Sequence, residues 1–236
     1  MATLVLARHG RTSANTSGVL AGRSKGVHLD DLGRRQADEA AGRLTEVPLA
    51  AVVSSPLERC RETAAALVAA RHDHLRVKTD KGLVECDYGD WTGQPLKTLS
   101  KQPLWRTVQT HPAGAVFPGG ESMAAMAARA VDTVRRWDAL VTREHGPDAV
   151  WVAVSHGDVI KAILADALGL HLDSFQRIVV DPASLSVVRY TEHRPFVLTT
   201  NSTSGSLAHL RPPQRRRGRR TSDAAVGGGA GPTDTA

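Results

Sequence analysis

The sequence predicts an α/β fold, a three-layer α/β/α sandwich around a mostly parallel, mixed central sheet. Three observations carry that expectation. Short apolar runs that read as strands alternate with segments carrying apolar residues at helical spacing, as in a sheet covered by helices on both faces. The chain is 236 residues long and 41% hydrophobic, enough for a sizeable core. Ser184–Tyr190 followed by Phe196–Thr200 reads as an antiparallel edge pair, which makes the sheet mixed.

Taken in order, Thr3–Ala7 is a short buried strand, cut off by Arg8, His9 and Gly10. A helix begins near Leu32, with Asp30 and Asp31 as N-caps and Leu32, Gln36, Ala40 and Leu44 at four-residue spacing. Ala50–Ser54 is a second buried strand, and Pro56 suits the first turn of the helix after it. Leu75–Thr79 and Leu83–Cys86 are weaker extended segments. A long helix over Ser122–His145 stops at Gly146-Pro147. Val150–Ser155 is the clearest strand, and a helix over residues 158–169 follows it directly. Ile178–Val180, Ser184–Tyr190 and Phe196–Thr200 complete a domain over residues 1–200. From 201 to 236 the chain turns to Gly, Pro, Ser, Thr and Arg without apolar periodicity, and is expected to be a disordered tail.

Charge and composition exclude several classes. The net charge of +6 is mostly the tail's: residues 201–236 carry six arginines and two aspartates, whereas the first 200 residues hold 24 basic and 22 acidic groups. No run of about 18 apolar residues is present to span a membrane, and the N-terminus lacks a signal-peptide pattern, so the expected setting is cytoplasmic. Cys60 and Cys86 form no C-x-x-C pair and read as small packed thiols rather than a disulfide or zinc site.

Three strand ends share a feature. The first runs into Arg8-His9-Gly10, the second into Ser54-Ser55-Pro56-Leu57-Glu58-Arg59, and the strand at 150–155 into His156-Gly157-Asp158. Ligands of open α/β sheets bind at the carboxyl ends of strands. A histidine after a strand is ordinarily structural and an arginine at a helix start ordinarily faces solvent, but two of each at such ends point to one crevice. Such a crevice suits an anion with several oxygens, since arginine offers a planar fork of donors and helix N-termini add backbone N–H groups.

Arg8-His9-Gly10-x-Thr12-x-x-Asn15 resembles the signature of the histidine phosphatase superfamily, in the branch that contains the cofactor-dependent phosphoglycerate mutases. The stretches "SSPLERCRETA", "GLVECDYGDWTG" and "AVSHGDVIK" resemble its other motifs, in the family's order. The resemblance implies that His9 is the nucleophile that takes a phosphoryl group. Arg8, Arg59 and His156 would hold the phosphate oxygens, with Asn15 and the Gly157 helix start as supporting contacts. Glu85 would be the proton donor and then the base. No metal or other cofactor is implied, because clustered cations stabilise the transferring phosphoryl group.

Some positions depart from the pattern. Arg11 stands where glutamate is common, and is either a cation at the pocket mouth or a solvated surface residue. Asp30 replaces a Thr or Ser and caps a helix equally well. Lys97, Lys101, Arg106 and His111 lie in a segment expected to line the mouth, and Glu121-Ser122 either contacts substrate or caps the long helix.

Hydrolysis of a small phosphorylated metabolite is the favoured activity, because Glu85 and His156 are only 71 positions apart and leave little chain for a closing lid. A phosphoglycerate mutase-type phosphomutase is the alternative. A zinc site of His9, His156 and Asp158 lacks supporting ligand spacing. The "RRRGRR" run offers a different class of function, binding of nucleic acid or another anionic polymer. A homo-oligomer is compatible with the sequence.

Overall fold

A computed structural model describes residues 1–69, 71 and 75–203. In chain order the elements are β1 (Thr3–Arg8), α1 (Ser13–Ser17), α2 (Asp31–Leu44), β2 (Leu49–Ser54), α3 (Glu58–Ala69) and β3 (Val77–Thr79). Then come α4 (Leu96–Leu99), α5 (Pro103–Thr110), α6 (Met123–His145), β4 (Val150–Ser155), α7 (Gly157–Ala167), β5 (Leu185–Arg189) and β6 (Phe196–Ser202). Among the described residues the strands form one six-stranded sheet in the order β3-β2-β4-β1-β5-β6. β1 to β4 run parallel, and β5 pairs antiparallel with both β1 and β6. The mixed sheet is therefore as the sequence predicts.

Alternation along the strands builds the three layers. Leu4, Leu6, Ala51, Val53, Trp151 and Ala153 face one core with α6 and α7, which contribute Met126, Val134, Ile160 and Ile163. Val5, Ala7, Val52, Val152 and Val154 face the other, with Ala40 and Leu44 of α2 and Ala64 and Leu67 of α3. Burial on both faces explains why these strands read as continuous apolar runs. Asp30 caps α2 by accepting from Gly33 N–H, and Ser122 caps α6 by accepting from Ala125 N–H. No helix among the described residues is long and apolar enough to cross a membrane.

Three expectations need correction. Ile178–Val180 is not a strand, although its alternating burial mimics one. The Val180 carbonyl accepts from Arg8 Nη1 at 2.7 Å instead of joining a ladder. Leu83–Cys86 is not a strand either: Lys81–Leu83 closes a 3-10 turn capped by Asp80, and the carbonyls of Gly82, Leu83 and Glu85 accept from side chains. The change in composition at 201 does not end the fold, because β6 continues through Ser202. Asn201 holds it there, its side chain bonding both the backbone N–H and the carboxylate of Asp181. From residue 204 the expected disordered tail lies outside the described residues.

Candidate active site

β1, β2 and β4 are parallel neighbours, so their carboxyl ends open on one side of the sheet. His9 leaves β1 there. Its backbone N–H donates to the Ser155 carbonyl at 3.0 Å, and its own carbonyl accepts from Ala183 N–H at 3.1 Å. The ring lies 2.7 Å, through Nδ1, from the Gly10 carbonyl. A carbonyl only accepts, so Nδ1 carries the hydrogen and Nε2 keeps its lone pair. Gly10 is necessary for this approach, since a Cβ there would stand 2.3 Å from the Gly33 carbonyl oxygen. Thr63 Oγ1 accepts from Gly10 N–H at 3.0 Å and steadies the turn.

His156, the N-cap residue of α7, sits edge-on to His9 with ring centroids 5.3 Å apart. Its Nε2 lies 2.8 Å from Ser55 Oγ. Burial, reinforced by the charges of Arg59 and Arg8, holds both imidazoles well below the usual histidine range. Both rings are thus neutral at physiological pH.

Arg8 is fully buried. Arg59, in the first turn of α3, donates from Nη2 to the Gly22 carbonyl at 2.8 Å. Its Nη1 is buried and has no hydrogen-bond partner among the described residues. A buried guanidinium nitrogen without an acceptor is costly, and a bound anion would supply the missing one. Cys60 packs beside these groups, its Sγ 3.4 Å from His156 Nε2. Burial pushes its thiol up to about 12, so it remains protonated and inert. Cys60 and Cys86 are both buried free thiols.

Glu85 is 3% exposed, and its Oε1 accepts from Cys86 N–H at 2.9 Å. Burial raises its pKa to about 7, and the charge of Asp158 adds to the rise. Cys86 N–H, Arg59 and Arg8 oppose it. Arg8 and Arg59 act electrostatically on His9, His156 and Glu85 alike, so these five residues form one cluster.

The remaining expected residues fall out differently. Gly157 is the first residue of α7, whose N-terminus receives no side-chain cap and keeps N–H donors for a ligand. Asn15 serves the capping box of α1, its Oδ1 accepting from Thr12 N–H and Oγ1 at 3.0 and 2.9 Å. Only its amide nitrogen is left to donate. Arg11 is neither a free cation nor a solvated one, because its Nε bonds Asp30 at 2.8 Å. Asp158, third member of the zinc reading, accepts from Tyr88 O–H at 2.8 Å. Among the described residues no group of three His, Cys, Asp or Glu side chains is placed to hold a metal ion.

Lys97, Lys101 and Arg106 are exposed, and His111 bonds Asp173. The contributions of Ser55, Thr63 and the Val180 carbonyl escape sequence reasoning. Thr63 does stand one helical turn after Arg59, and that spacing is the available signal.

Comparison with known proteins identifies the family. The family model of the histidine phosphatase superfamily (branch 1) matches residues 4–203. Phosphoserine phosphatase 1 of Hydrogenobacter thermophilus is 31% identical over 208 residues, covering 86% of this chain and 93% of its own. Glucosyl-3-phosphoglycerate phosphatase of Mycolicibacterium vanbaalenii is 35% identical over 178 residues, 73% of this chain and 76% of its own. The native structure of a mycobacterial glucosyl-3-phosphoglycerate phosphatase superposes with a TM-score of 0.75 at 29% identity, covering 85% of this chain and 98% of that one. The chain belongs to the histidine phosphatase superfamily, branch 1.

Proposed function

We propose that the protein hydrolyses phosphomonoesters of small metabolites through a phosphoryl group carried on His9, without a metal ion. The observation that carries the reading is the pairing of two states in one cluster. His9 is held neutral with Nδ1 on the Gly10 carbonyl, while Glu85 is buried and half-protonated near neutrality. The His9 Nε2 lone pair attacks phosphorus, the bond to the ester oxygen breaks, and Glu85 gives that oxygen its proton. Glu85, now a carboxylate, takes a proton from water as the water oxygen attacks phosphorus. The P–N bond breaks, His9 recovers its lone pair, and phosphate leaves.

Arg8, Arg59 and His156 hold the phosphoryl oxygens, and the Arg59 Nη1 that lacks a partner receives one. The Gly157 N–H and the Asn15 amide nitrogen complete the cradle. Two relatives named for phosphoserine and glucosyl-3-phosphoglycerate support a small phosphorylated metabolite as substrate. Between Glu85 and His156 much of the chain is taken up by α4, α5 and the 23-residue α6, which favours hydrolysis over a phosphomutase that must retain its intermediate. Residues 1–203 are the catalytic domain in this reading, the setting is cytoplasmic, and the basic segment beyond is accessory.

The test is to quench turnover of a 32P-labelled phosphomonoester with alkali, in excess chelator. Acid-labile, alkali-stable label on residue 9 is expected, absent in His9→Ala. Steady turnover without such label refutes the covalent step, and loss of turnover with chelator refutes metal independence.

A further inference from the structure

Glu85 lies in an irregular stretch between the 3-10 turns Lys81–Leu83 and Gly89–Trp91, where no strand ladder fixes the backbone. Its peptide is fixed by side chains instead. The Glu85 carbonyl accepts two charged donors, Arg23 Nε at 2.9 Å and Arg129 Nη2 at 3.0 Å. Two guanidinium groups on one oxygen repel each other, and the Glu121 carboxylate lies where it offsets that. Its Oε1 accepts from Arg23 Nη2 at 2.8 Å, from Arg129 Nη2 at 2.7 Å and from Asp87 N–H at 2.9 Å, while Oε2 accepts from Arg129 Nε at 3.1 Å. Arg129 Nη1 also reaches the Gly82 carbonyl, and Arg23 Nη1 the Asp87 carboxylate. The two arginines are balanced by two carboxylates, so the group is neutral as a whole.

The Glu85 carbonyl and the Cys86 N–H belong to one planar peptide and point in opposite directions. Holding the carbonyl therefore aims the N–H, and that N–H is the donor to Glu85 Oε1. An oxygen that accepts a hydrogen bond this way keeps its lone pair, which leaves Oε2 to carry the proton. We propose that Glu121, bracing Arg23 and Arg129 against the Glu85 carbonyl, is a positioning residue that makes Glu85 present its proton from Oε2. The inference rests on the proposed role of Glu85 as acid. It assigns Glu121 to positioning the acid rather than to contact with substrate. An ordinary loop-stabilising network would scatter its bonds, whereas here they converge on residues 82, 85 and 87.

Leaving-group dependence separates positioning from general stability. p-Nitrophenolate departs without a proton, whereas the alkoxide of O-phosphoserine needs one, and kcat/KM reports only the first chemical step. Glu121→Gln is expected to lose about 10- to 100-fold in kcat/KM on O-phosphoserine and less than about threefold on p-nitrophenyl phosphate, with Glu85→Gln showing a larger split of the same kind. Arg23→Lys, which keeps the charge but loses the fork, repeats the test and decides it if Glu121→Gln does not fold. Equal losses on both esters, or none, in these variants while Glu85→Gln shows the split would overturn the positioning role alone. Absence of the split in Glu85→Gln itself would overturn the acid assignment beneath it.

Discussion

Glu85→Gln tests the proposed role of Glu85 as an acid that works at neutral pH. Desolvation, helped by the charge of Asp158, lifts its pKa from 4.5 to about 7. At about 1.4 kcal/mol per tenfold, that disfavours the ionised form by roughly 3 kcal/mol in the folded protein. In the wild type, kcat/KM should fall on a basic limb centred near pH 7, about tenfold per pH unit beyond it. The glutamine variant should lack that limb and be slower on alkyl esters by about 100- to 10,000-fold. The substrate phosphate titrates near pH 6, identically in both proteins, and cancels in their ratio.

Stability gives a second reading of the same group. A folded-state pKa above the unfolded one favours folding at acidic pH, and the contribution is lost as pH rises through the folded value. Wild type should therefore lose about 3 kcal/mol relative to Glu85→Gln between roughly pH 4.5 and 7. Urea unfolding of both proteins at pH 5 and pH 8 measures the difference. A variant that keeps the limb near 7, or a stability gap that does not change across that window, would refute the reasoning.

Other outcomes follow from single contacts. Gly10→Ala forces a Cβ to within 2.3 Å of the Gly33 carbonyl and should cost about 1–3 kcal/mol in urea unfolding, with turnover falling as the carbonyl that holds His9 shifts; wild-type values in both assays would show that the strand exit can yield. Tyr88→Phe removes the donor to buried Asp158 and should cost about 1–3 kcal/mol by the same measurement. Truncation after Thr203 should leave turnover unchanged. Truncation after Thr200 also removes the Asn201 bonds to Asp181 and the Arg43 bonds to Ser202, and should lower stability by about 1–3 kcal/mol.

What was legible in the sequence is what depends on local order. Val150–Ser155 reads as a strand because six consecutive residues meet a covered face on either side, and Asp30 reads as a cap because its acceptor is three residues from the N–H it serves. Arg8, His9 and His156 were legible because topology places the ends of parallel strands together. What failed depended on partners far along the chain. Ile178–Val180 alternates like a strand but spends a carbonyl on Arg8, 172 residues away. The carbonyl of Glu85 is held from positions 23 and 129, and nothing near Glu85 announces either. Asn15 is only half legible: its oxygen is used within its own helix turn, which leaves the amide nitrogen for the expected contact.

The place of β1 in the sheet has a consequence for biosynthesis. Its partners on either side, β4 and β5, lie roughly 150 and 180 residues further along the chain. On a ribosome adding about 5–20 residues per second, the strand that carries His9 waits about 7–30 s for β4 and about 9–36 s for β5. The strand is thus secured long after it is made, and a nascent chain halted before Ser155 has no acceptor for the His9 amide and no His156 beside its ring. The pairing of the His9 and His156 rings therefore cannot assemble until β4 has been made and has closed on β1.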